Sequence, residues 1–188
     1  MDALRTVLIF LHLIVFAFAI SKLYISDFNL FFRRSNLFEL QLLGRQMSFL
    51  LGGLWITGTG VVFIDTSFDP VLILASDKLL AKLVCVSVLT INATLIHNIV
   101  FKKAQKAKLS YTDMLVMTIP GAISTCSWTF AGFLGVARPL SEYLSFQHFL
   151  ILYGVCLFLA IALMVFISPI IRRNWSEKGY VKGPLSFS

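Results

Sequence analysis

Charge is scarce in this 188-residue sequence, where only 13% of the residues are Asp, Glu, Lys or Arg, about half of what soluble domains carry. A soluble domain of this length leaves roughly 30% of its unfolded surface in water. A chain that is 58% hydrophobic, with a mean hydropathy of +0.87, has too few polar side chains to cover that surface. Cysteine is rare too. The three present, Cys85, Cys126 and Cys156, stand far apart with no Cys-x-x-Cys pair, which argues against a disulfide framework or a thiolate zinc site. The nine acidic residues form no paired-carboxylate constellation, and no P-loop, HExxH or GxSxG run occurs. The machinery of hydrolysis and nucleotide chemistry is therefore missing.

What the sequence has instead is long charge-free runs. A helix needs about 20 apolar residues to cross the ~30 Å hydrocarbon core of a bilayer. Uncharged stretches of 16, 19, 19, 24 and 29 residues lie between Arg5 and Lys22, Arg45 and Asp65, Lys82 and Lys102, Asp113 and Arg138, and Glu142 and Arg172. The first becomes a full span once Lys22 snorkels and Leu23 and Tyr24 are added. The runs are continuous rather than alternating, which excludes an outer-membrane barrel pattern. They predict an all-α integral membrane bundle of five transmembrane helices, at about 4–24, 46–65, 79–101, 113–137 and 145–171, with 1–188 as one domain. Val71 to Ser76, between Asp69-Pro70 and Asp77, is too short to span and is expected to be an interfacial loop.

The net charge of +7 is explained by topology rather than by nucleic acid. Lys22, Arg33, Arg34 and Arg45 follow helix 1, Lys102, Lys103, Lys106 and Lys108 follow helix 3, and Arg172, Arg173, Lys178 and Lys182 lie in the tail. That places 12 of the 16 basic residues on one side. The other side holds Arg5, Lys78, Lys82 and Arg138 with most of the acids. The positive-inside rule then puts the N-terminus outside and the C-terminus in the cytoplasm. Ala17-Phe18-Ala19 has the form of a signal-peptide cleavage site, but the near-neutral Asp2 and Arg5 ahead of it and the basic segment after it fit a retained helix.

Ionisable residues inside spans are costly and mark candidate functional sites. His12 sits in the run Leu11-His12-Leu13-Ile14-Val15-Phe16, where it serves either as a neutral interhelical donor or as an axial ligand to haem iron. At ~1.5 Å per residue it lies roughly 10 Å below the outer surface, with His97 roughly 15 Å deeper, so the two are too far apart to share one iron. Lys82, at the outer start of helix 3, and His148, at the outer start of helix 5, are the better partners for His12, although each also fits an interfacial role. His97, followed by Asn98 and Lys102, is expected near the cytoplasmic headgroups, with a second site there as the alternative. Asn92 and Thr90 fit interhelical hydrogen bonding. Gly52, Gly53, Gly58 and Gly60 around Trp55 give helix 2 a groove suited to a neighbouring helix or to a planar macrocycle. Ser127, Ala131 and Gly135 form a small-residue seam, within the monomer or between protomers, and Pro120-Gly121 is expected to kink helix 4.

Leu11-His12 through Lys22-Leu23-Tyr24 to Asp27-Phe28-Asn29-Leu30, together with Leu80-Ala81-Lys82-Leu83 continuing through Leu89-Thr90-Ile91-Asn92-Ala93 to His97, resembles small bacterial membrane proteins of the superfamily containing the HemJ-type protoporphyrinogen IX oxidases and the CopD-type copper-resistance proteins. The resemblance covers helices 1 to 3. It departs after helix 1, where the family's Leu-Pro-Arg-Leu-Phe-Val-Tyr-His run is absent, and at Asn29, which stands in place of an arginine. In the HemJ-type family a first-helix histidine and a third-helix lysine are implicated in haem b binding, which carries over to His12 and Lys82. The resemblance also implies the bacterial inner membrane.

Together these readings predict a b-type haem-binding membrane protein in electron transfer or redox sensing, with His12 and Lys82 as metal ligands and His148 as a further cofactor-binding candidate. A quinone or a membrane redox protein is the expected partner beside the lipid bilayer, with a homo-oligomer open. Two alternatives stand: a HemJ-like oxidase acting on a porphyrinogen, and a cofactor-free transporter or accessory subunit using His12, Lys82 and Asn92.

Overall fold

The computed structural model describes residues 2–32, 37–104, 110–137 and 139–177. Helix α1 spans Asp2–Phe32, α2 Leu37–Thr66, α3 Pro70–Leu74, α4 Asp77–Leu95, α5 Phe101–Ala104, α6 Tyr111–Val136 and α7 Phe146–Glu177. A single π-helical turn, Ile96–Val100, joins α4 to α5, and a 3-10 turn covers Pro139–Glu142. Among the described residues, five helical stretches are long and apolar enough to cross a membrane: Asp2–Asn29, Phe38–Thr66, Asp77–Lys103, Tyr111–Val136 and Phe146–Pro169.

Three expectations about boundaries are corrected. Helix 1, expected to end near residue 24, runs to Phe32, and helix 2, expected from residue 46, begins at Leu37. The segment expected as a basic loop is thus largely helix. The reason is that a charge-free run measures the apolar slab, whereas a helix continues past it as long as no Pro or Gly interrupts its backbone bonds; residues 25–32 contain neither. The stretch expected as an interfacial loop contains α3. There Asp69 caps the helix by accepting from the Val71 N–H at 2.8 Å, and Pro70 occupies the first helical position, where its fixed φ is already helical. Of the basic residues used to orient the chain, Arg33, Arg34, Lys106, Lys108, Arg138, Lys178 and Lys182 lie outside the described residues.

Side-chain bonds set the order of the helices. Arg5 grips Asp65 with two bonds, Nε to Oδ1 at 2.6 Å and Nη2 to Oδ2 at 3.1 Å, and Lys22 reaches Gln46 at 2.9 Å, which makes α1 and α2 an antiparallel pair. The Trp55 indole donates to Thr90 at 3.1 Å, tying α2 to α4. Asn92 donates to the Pro120 carbonyl at 2.8 Å and Cys85 to the Ser127 carbonyl at 3.2 Å, tying α4 to an antiparallel α6. Ser127 and Tyr153 share a buried hydroxyl bond of 2.6 Å between α6 and α7.

Two apolar clusters fill the interior. Ala19, Leu23, Leu51, Leu54, Leu89 and Trp128 join α1, α2, α4 and α6, while Ala81, Cys85, Phe130, Leu134, Phe149 and Tyr153 join α4, α6 and α7. The periphery is as greasy as the core. Phe49, Ile56, Phe158 and Phe166 are all more than 70% exposed, a surface that water would penalise at ~25 cal/mol per Å² of apolar area.

The glycine groove of α2 holds a helix. A Cβ at Gly60 would meet Leu8 at 3.1 Å, at Gly58 the His12 ring at 3.4 Å, and at Gly53 Val15 at 3.4 Å. Leu8, His12 and Val15 are spaced i, i+4, i+7, so one face of α1 lies along these notches. Of the small-residue seam on α6, Ser127 is fully buried and Ala131 packs against the core, while Gly135 has no neighbour within 4 Å of a built Cβ.

Candidate ligand site

Half-buried His12 and exposed His97 are both held by hydroxyls of α2. His12 Nδ1 lies 2.8 Å from Thr57 Oγ1, and the Thr57 hydroxyl donates to the Gly53 carbonyl one turn back at 2.8 Å. A hydroxyl has a single proton. Assigning that proton to the carbonyl makes Thr57 the acceptor, and on this assignment His12 carries its hydrogen on Nδ1 and has its lone pair on Nε2. The second histidine repeats the arrangement with the nitrogens exchanged. His97 Nε2 lies 2.9 Å from Ser48 Oγ, and Ser48 donates to the Gly44 carbonyl at 3.0 Å. The same assignment makes His97 the Nε2–H tautomer, with its lone pair on Nδ1. Thr57 and Ser48 are nine residues apart on α2, about 13 Å along the axis, so the two imidazoles occupy different depths of the bundle.

His97 rides on the π-helical turn, a helix irregularity that is frequent at functional sites. It lines a cavity of about 160 Å³ together with Asp27, Ser48, Met47, Met117 and Trp128. The Phe101 ring meets His97 edge-on, with centroids 5.3 Å apart, and Gly44 makes room for both. A Cβ on Gly44 would fall 2.6 Å from Phe101 Cζ and 3.7 Å from His97 Cε1.

Asp27 comes from the last turns of α1. It lies four residues after the buried Leu23 and eight after the buried Ala19, on the face that α1 turns inward. Thr125 of α6 donates to its Oδ2 at 2.6 Å. One turn away Tyr24 and Thr129 share a hydroxyl bond at 2.9 Å, with Thr129 donating onward to the Thr125 carbonyl at 2.7 Å. The α1–α6 seam is thus a short polar ladder in apolar surroundings, and it fixes the carboxylate at the cavity wall.

Of the residues expected to hold a cofactor, His12 and Lys82 are brought within electrostatic reach of each other. His148 is not joined to them: its Nδ1 bonds Ser145 at 2.7 Å at the exposed start of α7. His12, Lys82 and His148 do not line the cavity beside His97 or the groove between α6 and α7. Among the described residues no group of three or more His, Cys, Asp or Glu side chains converges, so a metal here would have at most two such protein ligands, as an iron held by a porphyrin has. The sequence placed His97 near the headgroups with a second site there as the alternative, and Asp27 was not among the candidates. The signal for Asp27 was its i+4 and i+8 spacing from Leu23 and Ala19, hidden because helix 1 was expected to end near residue 24.

No family model, no characterised protein and no solved structure matches the chain. The case for function rests on these side chains.

Proposed function

We propose that the chain is a multi-pass membrane protein that binds a lipid-soluble, single-ring molecule carrying hydroxyl groups, of the hydroquinone class, in the cavity beside His97 and Asp27. The observation that carries this reading is the pairing of cavity size with polar lining. An apolar cavity of about 150 Å³ accepts one benzene ring, and the cavity here is about 160 Å³. Ligand pockets of this kind are mostly apolar, with a few polar groups that orient the ligand. The two ionisable groups on the wall both present acceptors. Asp27 retains Oδ1 beyond the Oδ2 that Thr125 engages, and His97 retains the Nδ1 lone pair. Two acceptors select a ring with O–H donors over one with carbonyls alone.

The test is anaerobic isothermal titration of the detergent-purified protein with tetramethyl-p-hydroquinone and with tetramethyl-p-benzoquinone. The hydroquinone is expected to bind at least tenfold more tightly, a difference of about 1.4 kcal/mol, and His97→Leu and Asp27→Leu are each expected to weaken it at least tenfold. Absence of hydroquinone binding, or preference for the quinone, would overturn the reading. The positive-inside distribution of Lys and Arg supports a cytoplasmic C-terminus, and fusions of a periplasm-active phosphatase and of a fluorescent protein to the C-terminus report it directly. The bacterial inner membrane follows only from the resemblance of helices 1 to 3.

A second reading keeps haem b at His12, with Lys82 as the other ligand. It is favoured by the Thr57 bond to Nδ1, because ligating histidines donate their second ring nitrogen to a fixed acceptor and Nε2 is thereby aimed as the free base. The fit is tight on the α2 side, where Gly58 packs on His12 Cε1. Bound there, haem would supply one-electron chemistry, while this chain's contribution would be the two ligands and the orientation set by Thr57. A reduced-minus-oxidised spectrum after haem b is supplied tests it. A sharp reduced α-band that His12→Ala abolishes supports the assignment, and a full haem complement in that variant removes it.

A further inference from the structure

A second depression lies against the first. It is a groove of about 460 Å³ between α6 and α7, lined by Ala122, Phe133, Leu152, Cys156, Ala160 and Leu163. Two residues belong to both walls: Asp27 and Met164 line the groove as well as the cavity. Thr125, which holds the Asp27 carboxylate, also lines the groove. The groove and the cavity therefore meet at a common wall, a junction made of one fixed carboxylate and one flexible thioether side chain. The two spaces differ in chemistry. The cavity carries His97, Ser48 and Asp27, whereas the groove away from Asp27 offers aliphatic carbon, aromatic edge, two thiols and the Thr125 and Thr129 hydroxyls, of which Thr125 donates to Asp27 and Thr129 to a carbonyl of its own helix.

We infer that the ligand is an amphiphile whose hydroxylated ring occupies the cavity and whose apolar chain lies in the α6–α7 groove, so that it enters sideways from the lipid past Asp27 and Met164. This rests on the single-ring reading of the cavity and extends it by assigning the chain and the path. The geometry suits such a route. A molecule already dissolved in the bilayer reaches the cavity without crossing headgroups, and Met, unbranched with three rotatable bonds, yields to a passing ring at low cost. Among the described residues the carboxylate is the one charge-capable group on the groove wall, and because it also lines the cavity it remains the ring's partner once the ring is seated. Chain burial gains little in itself, since lipid is as apolar as the groove, so the groove acts by shape. Filling it should exclude the chain without touching the ring site.

The experiment compares tetramethyl-p-hydroquinone with trimethyl-p-hydroquinone bearing a decyl chain; both rings are fully substituted, so the groove thiols have no position to attack. Titrations use the full-length protein and Ala160→Phe. The expected result is that Ala160→Phe weakens the decyl compound at least tenfold and leaves the chainless ring within twofold. If both bind the variant as they bind the unaltered chain, the groove assignment is overturned while the cavity stands. If the chainless ring fails to bind the unaltered chain, the cavity reading itself has failed. A second measurement needs no variant. The decyl compound is expected to slow alkylation of Cys156 by N-ethylmaleimide at least fivefold, read by mass spectrometry, and the chainless ring is expected to leave it unchanged. Equal rates with the two ligands would overturn the inference even where Ala160→Phe does not fold.

Discussion

The tautomers of His12 and His97 are the most direct consequence of the hydroxyl assignments on α2. With its proton assigned to the Gly53 carbonyl at 2.8 Å, Thr57 accepts from His12 Nδ1 at 2.8 Å. Moving the imidazole proton to Nε2 would bring two lone pairs face to face, or force Thr57 to abandon its carbonyl. Either way one hydrogen bond is lost. Interhelical hydrogen bonds in membranes are worth about 0.6 to 2 kcal/mol, so the Nδ1–H form is favoured by a factor of roughly 3 to 30 at 1.4 kcal/mol per tenfold. The perturbation is Thr57→Val, which keeps the branched shape and removes the acceptor; Thr57→Ser is the control that restores it. The assay is nitrogen NMR of protein labelled at its three histidines, because protonated and unprotonated ring nitrogens resonate far apart. His12 should show a protonated Nδ1 and His97 a protonated Nε2, opposite tautomers in one protein. Thr57→Val should erase the His12 preference and leave His97 as it was. An Nε2–H form of His12 in the unaltered protein would refute the proton count.

The same count for Ser48 predicts that Ser48→Ala releases His97 and weakens hydroquinone binding by about three- to tenfold without unfolding the bundle, checked by titration beside a detergent-unfolding curve; undiminished affinity would show that His97 orientation is not needed. Gly60→Leu drives a branched side chain into the space where Leu8 already stands 3.1 Å from a built Cβ, and overpacking of this kind costs about 1 to 3 kcal/mol; steric-trapping measurements of unfolding should register that loss. Ser127→Ala and Tyr153→Phe each leave a buried hydroxyl partner unpaired, so the double variant should be less destabilised than the two singles combined, by about 0.6 to 1.7 kcal/mol, in a double-mutant cycle.

Much of the fold was legible because membrane solvation writes itself into the sequence plainly. A bilayer admits only helices and closed barrels, and continuous rather than alternating charge-free runs point to helices; each of the five long apolar helices contains its predicted core. The ends were less legible for the same reason. Arg5, Lys22 and Arg45 were treated as boundaries, yet Arg5 is neutralised by Asp65 and Lys22 is bonded to Gln46, pairings between helices that no single-chain window reveals. The glycine groove of α2 could be seen, with a neighbouring helix or a macrocycle left as its filler; that Leu8, His12 and Val15 fill it follows from the register of α1 against α2.

The site was legible only in part, and the reason lies in what defines it. His12 and Lys82 stand out because a charge-capable side chain in a greasy run is visible one residue at a time. The cavity depends on relations between residues. Gly44 opens space that Phe101 and His97 share, the extra residue of the π turn at Ile96–Val100 re-aims His97, and Asp27 acts inside the bundle because Thr125 of a helix nearly a hundred residues later supplies its hydrogen bond. Asp27, expected beyond the end of helix 1, instead lies within it on the wall common to cavity and groove, and His97, expected near the cytoplasmic headgroups with a second site there as the alternative, lines the cavity. A carboxylate retained there is costly to bury. Its cost is offset by the Thr125 bond and, on the reading proposed here, by the hydroxyl of a bound ring. Asp27→Leu should then stabilise the empty protein against unfolding while abolishing ligand-dependent stabilisation, two opposite shifts measurable in one thermal-unfolding series with and without tetramethyl-p-hydroquinone. A variant that lost stability in both conditions would show Asp27 to be a structural residue of the α1–α6 seam instead.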